Sequence, residues 1–324
     1  MSVVRSGVFA ERLPIAAVEE ALRTSGAVLS TARLLAVRAE PLGIGALADT
    51  YLAQLGWSEP DAAPATLVAK LPSQDERSAA TAASIGAYDR EVRFYRELAP
   101  RTRVRVPRCL GVLEVDGGTG LLLEDLTTLT PGDQLSDASP ALIRAAREEL
   151  AELQAPFWDD PDVAAMPWLH RRQGVPIPGI AERMATSWRV SAERLTGGFD
   201  TSERALIDRF VGHADTWAQS LAGPFSLSHH DYRMDNMLTG NRHLVVLDWQ
   251  TVGWGAPMFD VAYLLATSIA PARREAIERD EIARHVDDLA AHGVEWSVDA
   301  AWEAYRRAAF ATLLMLVPAT GSVK

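Results

Sequence analysis

The chain has one cysteine, Cys109, in 324 residues, which excludes an internal disulfide framework and suits a reducing cytoplasm. Set between Val-Pro-Arg and Leu-Gly, Cys109 reads as a small core residue and not a nucleophile. No apolar run approaches the roughly twenty residues of a membrane span. The start, MSVVRSGVFAERLP, lacks the apolar core of a secretory signal, so a cytoplasmic location and no membrane partner are expected. Positive charge is also short: 32 Lys and Arg against 43 Asp and Glu leave a net charge of −11, which argues against a nucleic-acid surface. There is no internal repeat or low-complexity tract. What the chain does have is a core: 48% hydrophobic residues over this length suffice for about two domains.

The informative stretch is Phe225 to Leu265, FSLSHHDYRMDNMLTGNRHLVVLDWQTVGWGAPMFDVAYLL. Phe225–Ser228 reads as a short strand, and His229–Asp235 as a polar loop. Met237–Thr239 and His243–Leu247 read as two short strands joined at Gly240-Asn241, residue types that tolerate positive φ. In such a hairpin positions 236 and 246 face each other, which puts Asp248 diagonally near Asn236, about 7–8 Å apart. Oxygen ligands of magnesium sit about 2.0–2.1 Å from the ion, so Asn236 and Asp248 are the candidate metal residues. Asp231 stands five residues before Asn236, the Asp-to-Asn separation of the catalytic loop H-R-D-x-x-x-x-N. Phosphoryl transfer calls for positioning and charge neutralisation more than covalent chemistry. Asp231 is therefore the candidate base, and Arg233 the candidate contact of the γ-phosphate, its guanidinium fork matching phosphate oxygens.

These residues resemble the aminoglycoside phosphotransferase and choline-kinase-like small-molecule kinases, with DWQT at Asp248–Thr251 similar to the ecdysteroid-kinase-like branch. The resemblance implies an α+β, protein-kinase-like two-lobed fold, with a small, mostly antiparallel-sheet N-lobe and a larger, mostly helical C-lobe. It implies ATP as donor, with GTP as the alternative, and Mg2+. It assigns the base to Asp231, magnesium to Asn236 and Asp248, a structural role to His229, and to Asp260 the bracing of the catalytic loop. Two positions depart from the pattern: His230 replaces a usual Gly, which puts the loop backbone in question, and Gln154 stands where relatives often carry His.

The amino-terminal third supplies the matching parts. Ala65–Leu71 (ATLVAKL) is strand-like and carries Lys70, similar to the V-A-I-K strand. Ala79–Leu98 is helical in pattern and carries Glu91, placed for an ion pair with that lysine. Gly43 and Gly45, between two candidate strands, could bring backbone amides close to phosphates. Gly120–Leu126 reads as a strand into a polar connection; by resemblance it is the hinge, with Glu124 and Leu126 at the adenine.

Residues 14–25 read as an amphipathic helix and Ala32–Ala39 as a strand. Pro140–Gln154, Ser202–Leu221, Val261–Ser268, Pro271–His292 and Val298–Leu316 read as helices. The turn-rich EDLTTLTPGDQLSD divides the chain into a nucleotide-binding N-lobe, 1–126, and a helical C-lobe, 127–324, with catalytic loop, metal site and acceptor pocket. The acidic stretch Glu278–Asp288 reads as a solvated face, with a face toward a cationic substrate as the alternative.

Only twelve residues separate Asp248 from Asp260, and no A-P-E motif follows. The expected partner is thus a small-molecule hydroxyl acceptor (an aminoglycoside-like or other antibiotic, a sugar or an amino alcohol) and not a protein; the oligomeric state stays open. Two alternatives stand beside the kinase. One is a catalytically silent binding protein on the same fold. The other is a metal phosphohydrolase using His229, His230 and Asp231 with His213, which requires the imidazoles to converge.

Overall fold

A computed structural model describes residues 12–28, 31–43, 47–59, 63–169, 180–195, 197–240 and 244–320. The chain divides into two compact units. One runs to Pro100 and adds Arg105–Thr130 and Val245–Gln250; the other holds Arg101–Val104, Pro131–Leu244 and Thr251 onward.

In the first unit, α1 (Ile15–Thr24) precedes β1 (Leu34–Pro41), β2 (Ala48–Trp57) and β3 (Thr66–Pro72). Then come α2 (Glu76–Ile85), α3 (Ala87–Arg93), β4 (Cys109–Val115) and β5 (Gly118–Leu123). The strands form an antiparallel sheet in the order β1-β2-β3-β5-β4. Alternation along β3 sorts its side chains by face. Leu67, Ala69 and Leu71 enter a core shared with Val18, Ala21 and Leu22 of α1, so Lys70 is left on the other face. Cys109 is half-buried at the head of β4, its Sγ 3.5 Å from the Gly111 carbonyl, and burial pushes the thiol up.

The helical stretch expected over Ala79–Leu98 is interrupted. Gly86 takes φ +63, closing α2 and opening α3, and α3 runs into a π-helical turn, Phe94–Leu98. A glycine in the left-handed conformation ends one helix and lets the next change direction.

The chain then passes β6 (Thr130–Pro131) into the helical unit: α4 (Pro140–Gln154), α5 (Pro161–Ala164), α6 (Ile180–Leu195) and α7 (Thr201–Ser220). After these follow β7 (Ser226–Ser228), β8 (Met237–Thr239), β9 (Leu244–Val246) and β10 (Gly253–Gly255), then α8 (Met258–Ser268), α9 (Pro271–Ala291), α10 (Val298–Ala308) and α11 (Ala311–Thr320). The start of α4 follows from Ser139-Pro140: the serine hydroxyl accepts from Leu142 N–H, and proline fits the first helical position. At α7, Asp200 and Glu203 form a capping box.

The single helix expected over Val298–Leu316 is two, α10 and α11. No Gly or Pro marks the break. Phe310 lies between them and stacks on Phe210, centroids 4.7 Å apart, while α11 packs on α6 and α8; tertiary contacts override the continuous pattern. The stretch Glu278–Asp288, expected to be a solvated face, is divided: Asp280 and Asp287 are exposed, while other carboxylates are paired inside the unit. Glu281 and Asp288 both bind Arg147 of α4 at 2.6 Å, and Glu278 accepts from the Tyr305 hydroxyl. No described helix is long and apolar enough to cross a membrane.

Candidate active site

Each unit carries one group of the expected residues. In the sheet unit, Lys70 Nζ lies 2.8 Å from Glu91 Oε1 and 2.7 Å from Asp248 Oδ1. Burial alone would push the ammonium down, but the charges of Asp248 and Glu91 outweigh it and hold Lys70 above its usual range. Burial pushes Glu91 up, opposed by Lys70. The Glu91 side chain is only 3% exposed, so it is no solvated helix face.

The same Oε1 also accepts the Trp249 N–H at 3.1 Å, so one carboxylate ties the lysine strand to the segment that follows Asp248. Trp249 is fully buried and stacks flat on Phe94, centroids 3.9 Å and planes 6° apart. Nothing in the sequence marked that stack, because Phe94 and Trp249 are brought together only by the fold. Asp248 itself has φ +63, a conformation costly for a residue with a Cβ and found where the surroundings hold it.

Of the remaining expected nucleotide residues, Glu124 and Leu126 have partners within the chain. Gly43 has φ +71 in the turn after β1, with open space where a Cβ would stand; Gly45 lies outside the described residues. The Glu124 N–H donates to Arg108 O, and its carboxylate takes two bonds from Arg105 Nη2 and one from Arg108 N–H. Although burial opposes it, these partners hold Glu124 below the usual carboxylate range. Leu126 O accepts from Leu129 N–H.

In the helical unit, the loop after β7 hangs on Asp260. This fully buried carboxylate, in the first turn of α8, accepts His229 N–H at 2.7 Å and His230 N–H at 2.8 Å. The Thr251 hydroxyl donates to His229 O at 2.8 Å, and Tyr232 OH reaches Ala146 O of α4 at 2.7 Å. The backbone at His230 has φ +64, so the histidine takes up the left-handed conformation that glycine favours, and the departure from the family pattern leaves that conformation in place. Room for the ring comes from β10. A Cβ at Gly255 would fall 2.5 Å from His230 Nε2, and one at Gly253 3.1 Å from Cε1. The ring packs edge-on to Phe259 at 4.9 Å.

Asp231 and Asn236 meet as their spacing predicts. Asn236 Nδ2 donates to Asp231 O at 2.8 Å and to Oδ2 at 2.9 Å, across a short 3-10 turn at Met234–Asn236. Both amide hydrogens are thereby used, and the side-chain carbonyl is the atom left for a ligand. Arg233 Nε lies 3.2 Å from Asp231 Oδ1, while Nη1 donates to Gln134 Oε1 at 2.8 Å and lies 3.5 Å from Asp235 Oδ2. The part of Gln134 went unseen in the sequence, since it lies 99 residues away.

The phosphohydrolase arrangement does not form. His213 is exposed on α7, His229 Nδ1 accepts Asp231 N–H, and His230 Nδ1 faces Thr251 O. Among the described residues no three His, Cys, Asp or Glu side chains cluster as a metal site. The Asn236 side-chain carbonyl in the helical unit and the Asp248 carboxylate in the sheet unit are each oxygen donors, the atom type that magnesium takes. The departure at Gln154 is resolved inside the core. Fully buried, it donates to Pro257 O at 3.0 Å and pairs through Oε1 with His285 Nε2 at 2.9 Å.

Comparison with known proteins gives the family and the fold. The model of the phosphotransferase enzyme family (APH) matches residues 38–306. No curated protein matches the chain. Among solved structures, choline kinase from Cryptosporidium parvum Iowa II is 9% identical, over 89% of this chain and 84% of that one, with TM-score 0.54. The GDP complex of wild-type aminoglycoside 2'-phosphotransferase-IIIa is 16% identical over 92% and 89%, TM-score 0.52. Plasmodium vivax ethanolamine kinase is 8% identical over 89% and 77%, TM-score 0.51. At these identities the likeness establishes the protein-kinase-like fold.

Proposed function

This chain belongs to the phosphotransferase enzyme family, and from that premise we propose that it transfers the γ-phosphate of ATP to a hydroxyl group of a small molecule. The observation that carries the proposal is the partly buried Lys70 ammonium held at once by Glu91, 2.8 Å, and Asp248, 2.7 Å. A lysine fixed between two carboxylates is aimed and charged, ready to meet nucleotide phosphates.

In this reading the acceptor oxygen attacks the γ-phosphorus while the bond to the β,γ-bridging oxygen breaks, and ADP leaves. Asp231 orients the hydroxyl and takes its proton. Asn236 holds the Asp231 carboxylate from one side through Nδ2. Arg233 neutralises charge on the transferred group. Asn236 and Asp248 are the residues that would hold magnesium through oxygen, and the ion, when bound, offsets the charge of the phosphates. Gly43, Gly45, Glu124 and Leu126 complete the proposed nucleotide contacts, through backbone groups. The acceptor classes to screen are aminoglycosides, other hydroxylated antibiotics, sugars and amino alcohols.

The test is a panel of such compounds with ATP or GTP and Mg2+, reading ADP or GDP release and then the mass of an added phosphate. A phosphorylated product is expected with wild type and none with Asp231→Ala of unchanged melting temperature. Near-wild-type turnover in that variant would remove the base assignment. Nucleotide binding with no product from any acceptor would favour the silent binding protein.

A further inference from the structure

The segment after β6 behaves as a strap on the catalytic loop. Gly132 N–H donates to Met237 O at 2.9 Å, and Gln134 N–H to Asp235 Oδ1 at 2.9 Å. The approach at Gly132 is so close that a Cβ there would stand 2.2 Å from Met234 O. Asp133 stiffens the turn: Oδ1 accepts Leu135 N–H at 2.8 Å and Oδ2 the Ser136 hydroxyl at 2.6 Å. Yet the tip is not core, since Leu135 is 91% exposed. Hydrogen bonds to Arg233–Met237, and not apolar burial, keep the strap where it is.

What the strap delivers there is one neutral acceptor, Gln134 Oε1, at 2.8 Å from Arg233 Nη1. The Arg233 side chain is 28% exposed, and an arginine so placed ordinarily samples many rotamers, so holding it in one costs entropy. Here its Nε edge faces Asp231 and its Nη1 edge faces Gln134. An amide oxygen fixes the fork without cancelling its charge, whereas a third carboxylate beside Asp231 and Asp235 would compete with an incoming phosphate. We infer that Gln134 is a positioning residue, which holds the Arg233 guanidinium in register for the γ-phosphate of the nucleotide. The inference rests on the kinase reading above.

The test compares the affinity of the full chain for a non-hydrolysable ATP analogue and for ADP, both with Mg2+, by calorimetry; their ratio isolates the γ-phosphate. The set is wild type, Gln134→Leu, Gln134→Asn, Arg233→Met, the double variant Gln134→Leu/Arg233→Met, and Leu135→Ala as a neighbouring control. In wild type the analogue is expected to bind more tightly than ADP, and Arg233→Met to abolish that preference. Either Gln134 variant should reduce the preference by about three- to tenfold, the usual net worth of one hydrogen bond, with ADP affinity and melting temperature unchanged. The double variant should match Arg233→Met alone, and Leu135→Ala should match wild type.

Several results would overturn the inference: a wild-type preference in both Gln134 variants, an additive loss in the double variant, an equal loss of ADP affinity, or a γ-phosphate preference that survives Arg233→Met. Wild-type protein that binds neither nucleotide would instead bring down the kinase reading, and this inference with it.

Discussion

Asp260→Ala tests whether the catalytic loop is held by one carboxylate. The native side chain accepts two backbone N–H groups, from His229 and His230, and both residues are at most 1% exposed. Truncation leaves two buried donors without their acceptor, each costing about 1–3 kcal/mol, so about 2–6 kcal/mol in all. Part is returned if the loop relaxes, because His230 at φ +64 can give up a left-handed conformation worth about 1–2 kcal/mol of strain. The net loss, about 1–4 kcal/mol, is below the stability of an ordinary domain, so the variant should fold with its loop displaced. Asp260→Asn should fall between: its carbonyl can accept one N–H while its NH2 opposes the other. Urea unfolding measures the stability loss, and kcat of the folded variant measures the loop. A stability loss below about 0.5 kcal/mol with unchanged kcat would refute the reasoning, since two buried donors cannot lose their acceptor without cost.

Glu91→Gln keeps one acceptor for two donors, Lys70 Nζ and Trp249 N–H. It should lower kcat/KM for ATP by about tenfold or more, the worth of a charge-assisted bond; a fall in melting temperature with unchanged kcat/KM would make the pair purely structural. His285 is pushed by burial, and by the nearby Arg147 charge, from 6.5 down to about 3. The unfolded chain therefore takes up a proton at this position below 6.5 while the folded one does not until about 3. Stability should fall as pH drops through that window, by up to about 1.4 kcal/mol per unit. His285→Gln should show a shallower fall between pH 7 and 5 in urea midpoints, and equal slopes would contradict the assignment. Gly255→Ala should destabilise by about 1–3 kcal/mol, since its Cβ would meet the buried His230 ring. His230→Gly in that background should recover part of the loss, and strict additivity by urea unfolding would show that the two do not touch.

Local pattern and spacing carried much of this architecture. Ser139-Pro140 fixed the start of α4, the alternation along β3 set Lys70 apart from Leu67 and Leu71, and the five-residue step brought Asn236 onto Asp231. Contacts between distant positions stayed hidden, because no local preference encodes them. Gln134 meets Arg233 from 99 residues away, and Phe94 meets Trp249 only once the sheet unit has formed. The reading of Glu278–Asp288 as a solvated face missed Glu281 and Asp288 for the same reason: their partner, Arg147, lies on another helix. Neither break in the expected helices was read from the sequence: Gly86 turns the chain between α2 and α3 by its left-handed backbone, and the break before α11 depends on where Phe310 stacks.

The backbone adds a constraint that no side-chain inventory contains. His230 and Asp248 have φ +64 and +63, although neither is glycine, and each costs about 1–3 kcal/mol unless its surroundings hold it. In both cases the restraint is a charged side chain in a buried setting. Asp260 grips the backbone at His230, and Lys70, itself fixed by Glu91, grips the Asp248 carboxylate. Each strained residue adjoins or is a candidate chemical group: His230 precedes Asp231, and Asp248 is the proposed metal ligand. Relaxing either backbone would turn a carboxylate away from its present direction, so the same ionic contacts that stabilise the fold also set where the oxygens point. Stability and catalysis should therefore separate only at residues that touch the loop from outside this frame, and Gln134 is such a residue: it contacts Arg233 without contributing to either grip.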